Sequence, residues 1–233
     1  MNKEQFINEL KKINININDV TLYQLDEYYK ILVEENAKYN LTAITEESSV
    51  YLKHFYDSIS IVKIINLHNQ YLLDIGTGAG FPGLVLKIVF PNLKIDLLDS
   101  TNKKCKFLQK VIDKLNLKDI QVINARAEEY AKDNREKYDI VTSRAVAPLK
   151  HLLEYSIPVL KVNGLFISLK SNIEEELNNI NNYYSKLHLS NEEIIQFELP
   201  YESSLRTLYK VTKQKTTPLI YPRTYSQIKK KDI

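Results

Sequence analysis

Tryptophan is absent from this 233-residue chain, and cysteine, glycine and proline are scarce, at one, five and seven. The single cysteine, Cys105, excludes an intramolecular disulfide framework and suits a reducing, cytoplasmic setting. No uncharged apolar run approaches the roughly 20 residues that span a bilayer; LVLKIVF is short and holds a lysine. The opening MNKEQFINELKK is polar and lacks the apolar core of a signal peptide, so the cytoplasm is the expected location. Neither sign of charge dominates. The net charge is +3, which permits an acidic partner but is not the charge of a histone-like binder. A hydrophobic share of 44% and a charged share of 26% are ordinary for a globular protein. Abundant Asn, Ile, Lys and Tyr read as genomic composition bias. No metal is called for, and a monomer is expected.

The informative stretch is YLLDIGTGAGFPG, residues 71–83. A short apolar run carries Asp74 and ends in alternating glycines, Gly76, Gly78 and Gly80, with Pro82 placed for the first turn of a helix. Such a turn lets backbone approach a ligand where a Cβ would block it. The dinucleotide pattern G-x-G-x-x-G would put its third glycine at Phe81, so a large ring stands where helix and strand should touch. That points to a nucleoside without a pyrophosphate, with S-adenosylmethionine the leading candidate. Asp74, Gly76, Gly78 and Phe81 form the first set of expected cofactor-binding residues. A second apolar run, IDLLDS, ends in Asp99, 23 residues after Gly76 and near the offset at which a carboxylate takes ribose hydroxyls. The other reading of Asp99 is a cap for the helix that follows.

Residues 1–66 hold no glycine or proline and show three helical patterns, about 3–12, 20–38 and 47–66. Thr21-x-x-Gln24 reads as a capping box for the second. From residue 70 strand-like runs (71–75, 94–99, 120–124, 138–143, 164–169) alternate with helical ones (81–89, 102–116, 127–132, 148–160, then 173–187). The last two strands, 194–199 and 207–213, are joined too tightly for a crossover helix and must pair as an antiparallel hairpin. The expected fold is therefore α/β: a Rossmann-like, mostly parallel class I methyltransferase sheet with a C-terminal antiparallel hairpin and a helical N-terminal extension. We divide the chain into the extension (1–66), a core (67–217) and a basic tail (218–233), loosely ordered at its end.

Ligands of such sheets bind beyond the carboxyl ends of the strands. After the third strand come Arg126, Ala127 and Glu128; a backbone amide there can read an adenine edge, and Glu128 also suits a helix first turn. Arg126 has either a salt-bridge role or a nucleic-acid one. Arg144 ends the fourth strand beside the expected cleft, where an arginine needs a partner. Lys170 ends the fifth, to meet phosphate or to reach solvent. The Asn- or Asp-Pro-Pro-aromatic segment typical of exocyclic amine methylation is absent after strand four. Methylation at pyrimidine carbon 5 needs a cysteine nucleophile, and Cys105 sits mid-helix on an apolar stripe. A ring nitrogen such as guanine N7 needs neither device, because it has no proton to lose.

In order, YNLTAIT, HFYDSIS, LLDIGTGAGFPG, LLDS, NARAEE, TSRAVAPL and SLKS resemble the 16S ribosomal RNA guanine-N7 methyltransferases, also called glucose-inhibited division protein B or RsmG. The resemblance covers residues 39–171, and RTLYKV at 206–211 fits too. It implies methyl transfer from S-adenosylmethionine to N7 of one guanine in small-subunit ribosomal RNA, within a 30S or assembling particle. It further implies that Gly76 and Phe81 line the cofactor site, that Ala127 and Glu128 contact the adenosine, and that Arg144 closes the pocket. Asn40, His54, Asp57 and Ser58 match the upstream signature, with Asn40, His54 and Asp57 expected on the substrate side; the other reading of His54 is a capped or packed helix histidine. Lys170 and Arg206 match basic positions that face RNA. The tail PRTYSQIKKKDI departs from the family's Gly-Thr-Pro-like turn, leaving lysines 229–231 as a phosphate grip or a solvated charge run. The alternatives are a methyltransferase for another substrate and a non-catalytic nucleotide-binding or ribosome-assembly module.

Overall fold

The computed structural model describes residues 1–233. Two helices open the chain: α1 (Lys3–Lys12), capped by Asn2, and α2 (Asp19–Tyr39). The cap of α2 is Asn18, whose side chain accepts from the Thr21 amide, so the helix starts one turn upstream of the capping box expected at Thr21, with a single cap bond in its place. The third helical run is irregular. It opens as α3 (Glu47–Val50), widens to π geometry over Tyr51–Tyr56, returns to α-helix as α4 (Asp57–Ile59) and tightens to 3₁₀ over Ser60–Lys63. Local widening of this kind re-aims side chains, and here it presents His54 and Asp57 toward the sheet.

Strands and helices then alternate: β1 (Tyr71–Ile75), α5 (Gly83–Val89), β2 (Lys94–Asp99), α6 (Asn102–Lys114), β3 (Ile120–Asn124), α7 (Ala127–Asp133), β4 (Tyr138–Arg144), α8 (Leu149–Ser156) and β5 (Leu160–Lys170). The helix expected over 173–187 is two pieces, α9 (Glu174–Leu177) and α10 (Asn181–Leu187). The hairpin follows as β6 (Glu193–Glu198) and β7 (Leu205–Thr212). The seven strands form one sheet in the order β3-β2-β1-β4-β5-β7-β6, with β7 antiparallel to β5 and β6. Strand order reverses between β1 and β4, and a crevice opens there. No helix is long and apolar enough to cross a membrane.

Alternate residues of the strands feed two apolar cores. Leu72, Ile95 and Leu97 face a layer built from α5, α6 and the N-terminal helices, including Phe6, Tyr28 and Phe55. Leu73, Leu98 and Val141 face the layer of α8, α10 and the C-terminal residues. The tail is more ordered than its composition predicts. A last helix, α11 (Tyr225–Lys230), has a Thr224–Gln227 capping box, and it buries Ile228. Arg223 anchors it through paired bonds of 2.8 Å to Glu154, a carboxylate with no solvent exposure.

Helix α5 approaches β1 and β2 closely through Gly83. A Cβ there would stand 2.5 Å from Leu97 Cδ2 and 2.9 Å from Asp74 Cβ. Gly83, not residue 81, therefore serves the close helix–strand contact, and the Phe81 ring turns the other way. Gly83→Ala is expected to lower stability by about 1–3 kcal/mol through overpacking, read as a drop in thermal midpoint of several degrees.

Candidate active site

A cleft of about 960 Å³ lies at the carboxyl ends of β1, β2 and β4, walled by the N-terminal helical run, the β4–α8 loop, β7 and α11. Its floor is the glycine loop. Gly76, Gly78 and Gly80 all have positive φ, 67°, 62° and 101°. A Cβ on Gly78 would meet nothing nearer than the Gly76 carbonyl oxygen at 3.9 Å, so it would project into open cleft. That is the backbone cradle a nucleoside cofactor needs. The α2 helix supports the loop from behind, the Tyr28 hydroxyl donating to the Ala79 carbonyl.

Asp74 does not line the cleft. It is fully buried beneath the loop, where Oδ2 accepts from the Gly83 amide at 2.8 Å and fixes the start of α5. Burial raises its carboxyl to about 6. The cofactor-binding role expected of Asp74 is thus replaced by support of the loop.

Asp99 does face the cleft. Its carboxylate accepts from the Gly78 amide at 3.0 Å and the Thr101 amide at 2.8 Å, stapling the β2 loop to the glycine loop. The residue at the start of α6 is Thr101, so Asp99 braces the turn without being the helix cap. Ala127 and Glu128 line the same side. Glu128 is buried, and Arg126 Nε donates to its Oε1 at 2.5 Å. The Arg126 guanidinium lies 4.4 Å from the Tyr225 ring centroid, so the C-terminal helix completes this wall. Of the two readings of Arg126, the ion pair is formed, and the partly exposed side chain also lines the cleft.

At the opposite end, His54, Asp57, Phe81, Arg144 and Arg206 converge. Arg144 Nη1 donates to the Lys53 carbonyl at 2.9 Å and to Asp57 Oδ2 at 3.0 Å. Arg206 Nε donates to Asp57 Oδ1, also at 3.0 Å. The His54 ring stacks on Phe81 at 4.2 Å between centroids, and the Arg144 guanidinium stands 4.9 Å from the Phe81 centroid. Burial, reinforced by the Arg144 charge, lowers the His54 imidazole to about 3. His54 is therefore neutral. Ser58 is buried and donates to the His54 carbonyl.

Two basic or polar assignments change. Lys170 lines the cleft half-buried and is paired with Glu176, with Nζ 2.7 and 2.8 Å from its oxygens and 3.0 Å from the Ala147 carbonyl. Its charge is already matched, so it is an internal tie and not a free phosphate ligand. Asn40 is exposed and lies outside the cleft lining; in the left-handed conformation (φ 51°) it caps the C-terminus of α2. The neighbour that reaches the cleft is Thr42, whose Oγ1 is 3.0 Å from His54 Nε2. Thr42 lies within YNLTAIT, where nothing in the sequence distinguishes it from Asn40. Tyr28 and Tyr225 likewise carry no sequence signal for their roles here, whereas Gly83 does, as the last glycine of YLLDIGTGAGFPG. Cys105 is buried core and lies outside the cleft lining.

The family model described as GidB, rRNA small subunit methyltransferase G, matches residues 21–204. A protein of Acetivibrio thermocellus named ribosomal RNA small subunit methyltransferase G is 48% identical over 211 residues, 90% of this chain and 87% of the relative. One of the same name from Mesoplasma florum is 50% identical over 210 residues, 89% and 87%. Among solved structures, a SAM dependent methyltransferase from Aquifex aeolicus covers 72% of this chain and 94% of its own, at 16% identity and a TM-score of 0.53. TYW2 of M. jannaschii, in complex with AdoMet, covers 67% and 74%, at 15% identity and 0.52. The two structures establish the class I methyltransferase fold alone.

Two buried groups in this region titrate with opposite effects on stability. The unfolded chain protonates His54 near 6.5 and the folded one only near 3, so this residue's contribution is full above pH 6.5 and lost on acidification. Asp74 is raised from 3.8 to about 6, so its contribution is full below pH 3.8 and lost as pH rises through 6. Relative to wild type, Asp74→Asn is expected to lose stability more steeply between pH 6.5 and 4, and His54→Gln to lose it less steeply or gain. Urea denaturation across that range reads both slopes.

Proposed function

The chain belongs to the GidB family of small-subunit ribosomal RNA methyltransferases, and from that premise we propose that it methylates N7 of one guanine in 16S ribosomal RNA with S-adenosylmethionine as donor. The donor's place is supported by the open face of Gly78 and by two carboxylates, Asp99 and Glu128, on the same wall. When bound, it supplies an electrophilic methyl group on a sulfonium. Gly76, Gly78, Phe81, Asp99, Ala127 and Glu128 are the residues we assign to it, with the Asp99 and Glu128 carboxylates suited to hydroxyl and amino donors.

The observation that carries the choice of N7 is the state of the polar groups at the Arg144 end. His54 is neutral with both ring nitrogens engaged, and Asp57 is clamped between two arginines. Neither is free to take a proton, and an acceptor that loses no proton needs no base. Catalysis then rests on alignment and on exclusion of water by the Phe81–His54 stack and Arg144. We assign His54, Asp57, Arg144 and Arg206 to the substrate side. Further parts of the proposal are that the substrate is the RNA within a small subunit or its assembling particle, that the protein acts as a monomer in the cytoplasm, and that residues 1–66 and 218–233 act as walls for a core of 67–217.

The test is tritiated methyl incorporation into small subunits that lack the mark, followed by strand scission at the modified guanine. Wild type is expected to label one guanine. Arg144→Ala is expected to reduce kcat/KM by about 100-fold or more while calorimetry still detects cofactor. Label recovered in another base or in protein would overturn the reading, and cofactor binding without any transfer would favour the assembly module.

A further inference from the structure

We propose that Thr42 selects the target base: its hydroxyl donates to the 6-oxo group of guanine, beside the nitrogen that takes the methyl. The inference rests on the guanine-N7 reading above.

A guanidinium has donors only. Arg144 Nη2 lies 3.2 Å from His54 Nδ1, so that nitrogen must present its lone pair. The Lys53 carbonyl is also 3.2 Å from Nδ1 and keeps a second lone pair beside the one taken by Arg144 Nη1, but a proton on Nδ1 would set that nitrogen and Arg144 Nη2 donor to donor. The proton of the neutral imidazole is therefore on Nε2, where it donates to Thr42 Oγ1 at 3.0 Å. The Ile44 amide donates to the same oxygen at 3.1 Å. Both lone pairs of Oγ1 are filled, and the hydroxyl proton has no acceptor within the protein. Thr42 lines the cleft, so that proton is offered to the substrate.

The chain Arg144→His54→Thr42 runs one way only, and Asp57 fixes its origin. Guanine presents N7 and O6 as neighbouring acceptors; adenine presents N7 beside an amino donor. A hydroxyl that can only donate accepts the first and meets the second donor to donor. A site built in this way discriminates strongly, because the mismatched polar groups stay unpaired. His54 and Asp57 are then positioning residues that act through Thr42.

The experiment uses unmarked small subunits reconstituted with RNA carrying guanine, inosine or 2,6-diaminopurine at the target position. Inosine keeps the 6-oxo group, and diaminopurine replaces it with an amino donor. Wild type is expected to methylate guanine and inosine comparably and diaminopurine about 100-fold less well or worse. Thr42→Val keeps the shape and loses the hydroxyl. It is expected to lower kcat/KM for guanine by about 10- to 100-fold and to shrink the preference over diaminopurine to a few-fold. Thr42→Ser is expected to retain the preference, and calorimetric cofactor affinity should be unchanged in both variants. The proposal is overturned if Thr42→Val keeps the wild-type preference, or if Thr42→Ser behaves like Thr42→Val. Failure of wild type to methylate any of the three bases would instead overturn the guanine-N7 reading itself.

Discussion

The carboxylate of Asp57 ties together three parts of the chain that are remote in sequence. Asp57 belongs to the N-terminal helical run, Arg144 to the tip of β4 and Arg206 to β7, and each arginine takes one carboxylate oxygen at 3.0 Å. All three side chains are largely shielded from water. Two cations on one anion leave an excess positive charge, which the Lys53 carbonyl and the Phe81 ring face absorb. Removing one partner of a buried pair costs about 3–5 kcal/mol, because the remaining charge is stranded. Removing Asp57 would strand two. The consequence reaches beyond stability: Arg144, held in this orientation, dictates the His54 tautomer, and His54 dictates the direction of the Thr42 hydroxyl.

Much of this architecture is legible in the sequence because strand ends and glycine turns are local signals. The five parallel strands, the closing hairpin and the clefts beyond their carboxyl ends follow from periodicity and loop length, with boundaries shifted by a few residues. What is not legible depends on three-dimensional partners. The basic tail reads as solvated, yet Arg223 finds Glu154 across the fold and Ile228 finds the second core. Lys170 reads as available for phosphate, but Glu176, six residues on, folds back onto it. Asn40 and Thr42 are near neighbours in one motif; which of them faces the cleft is set by the left-handed turn that ends α2.

The glycine loop illustrates how one pattern can serve two demands at separate residues. In G-x-G-x-x-G the last glycine gives close helix–strand packing. Here that packing is met at Gly83, two residues later, with Asp74 accepting from its amide. The position thereby released is Phe81, whose ring becomes the surface against which His54 stacks and over which Arg144 lies. The same two-residue shift that weakens the dinucleotide signature thus builds the partition between the nucleoside end of the cleft and the base-reading end.

A donor aimed at guanine O6 has a chemical cost, because withdrawing electron density from the carbonyl weakens N7 as a nucleophile. The cost scales with the charge of the donor, since hydrogen bonds from ionised groups are roughly twice as strong as neutral ones. An arginine reaching O6 directly would read the base but depress the reacting nitrogen most. In this cleft the arginine is set back behind a neutral imidazole and a hydroxyl, and its charge is partly offset by Asp57, which it shares with Arg206. Directionality is passed along the chain while most of the charge stays behind. Because N7 becomes cationic as it reacts, the net positive charge of the two arginines on Asp57 opposes that change, and holding it behind neutral groups limits the opposition, leaving alignment in a dry cleft to supply the rate.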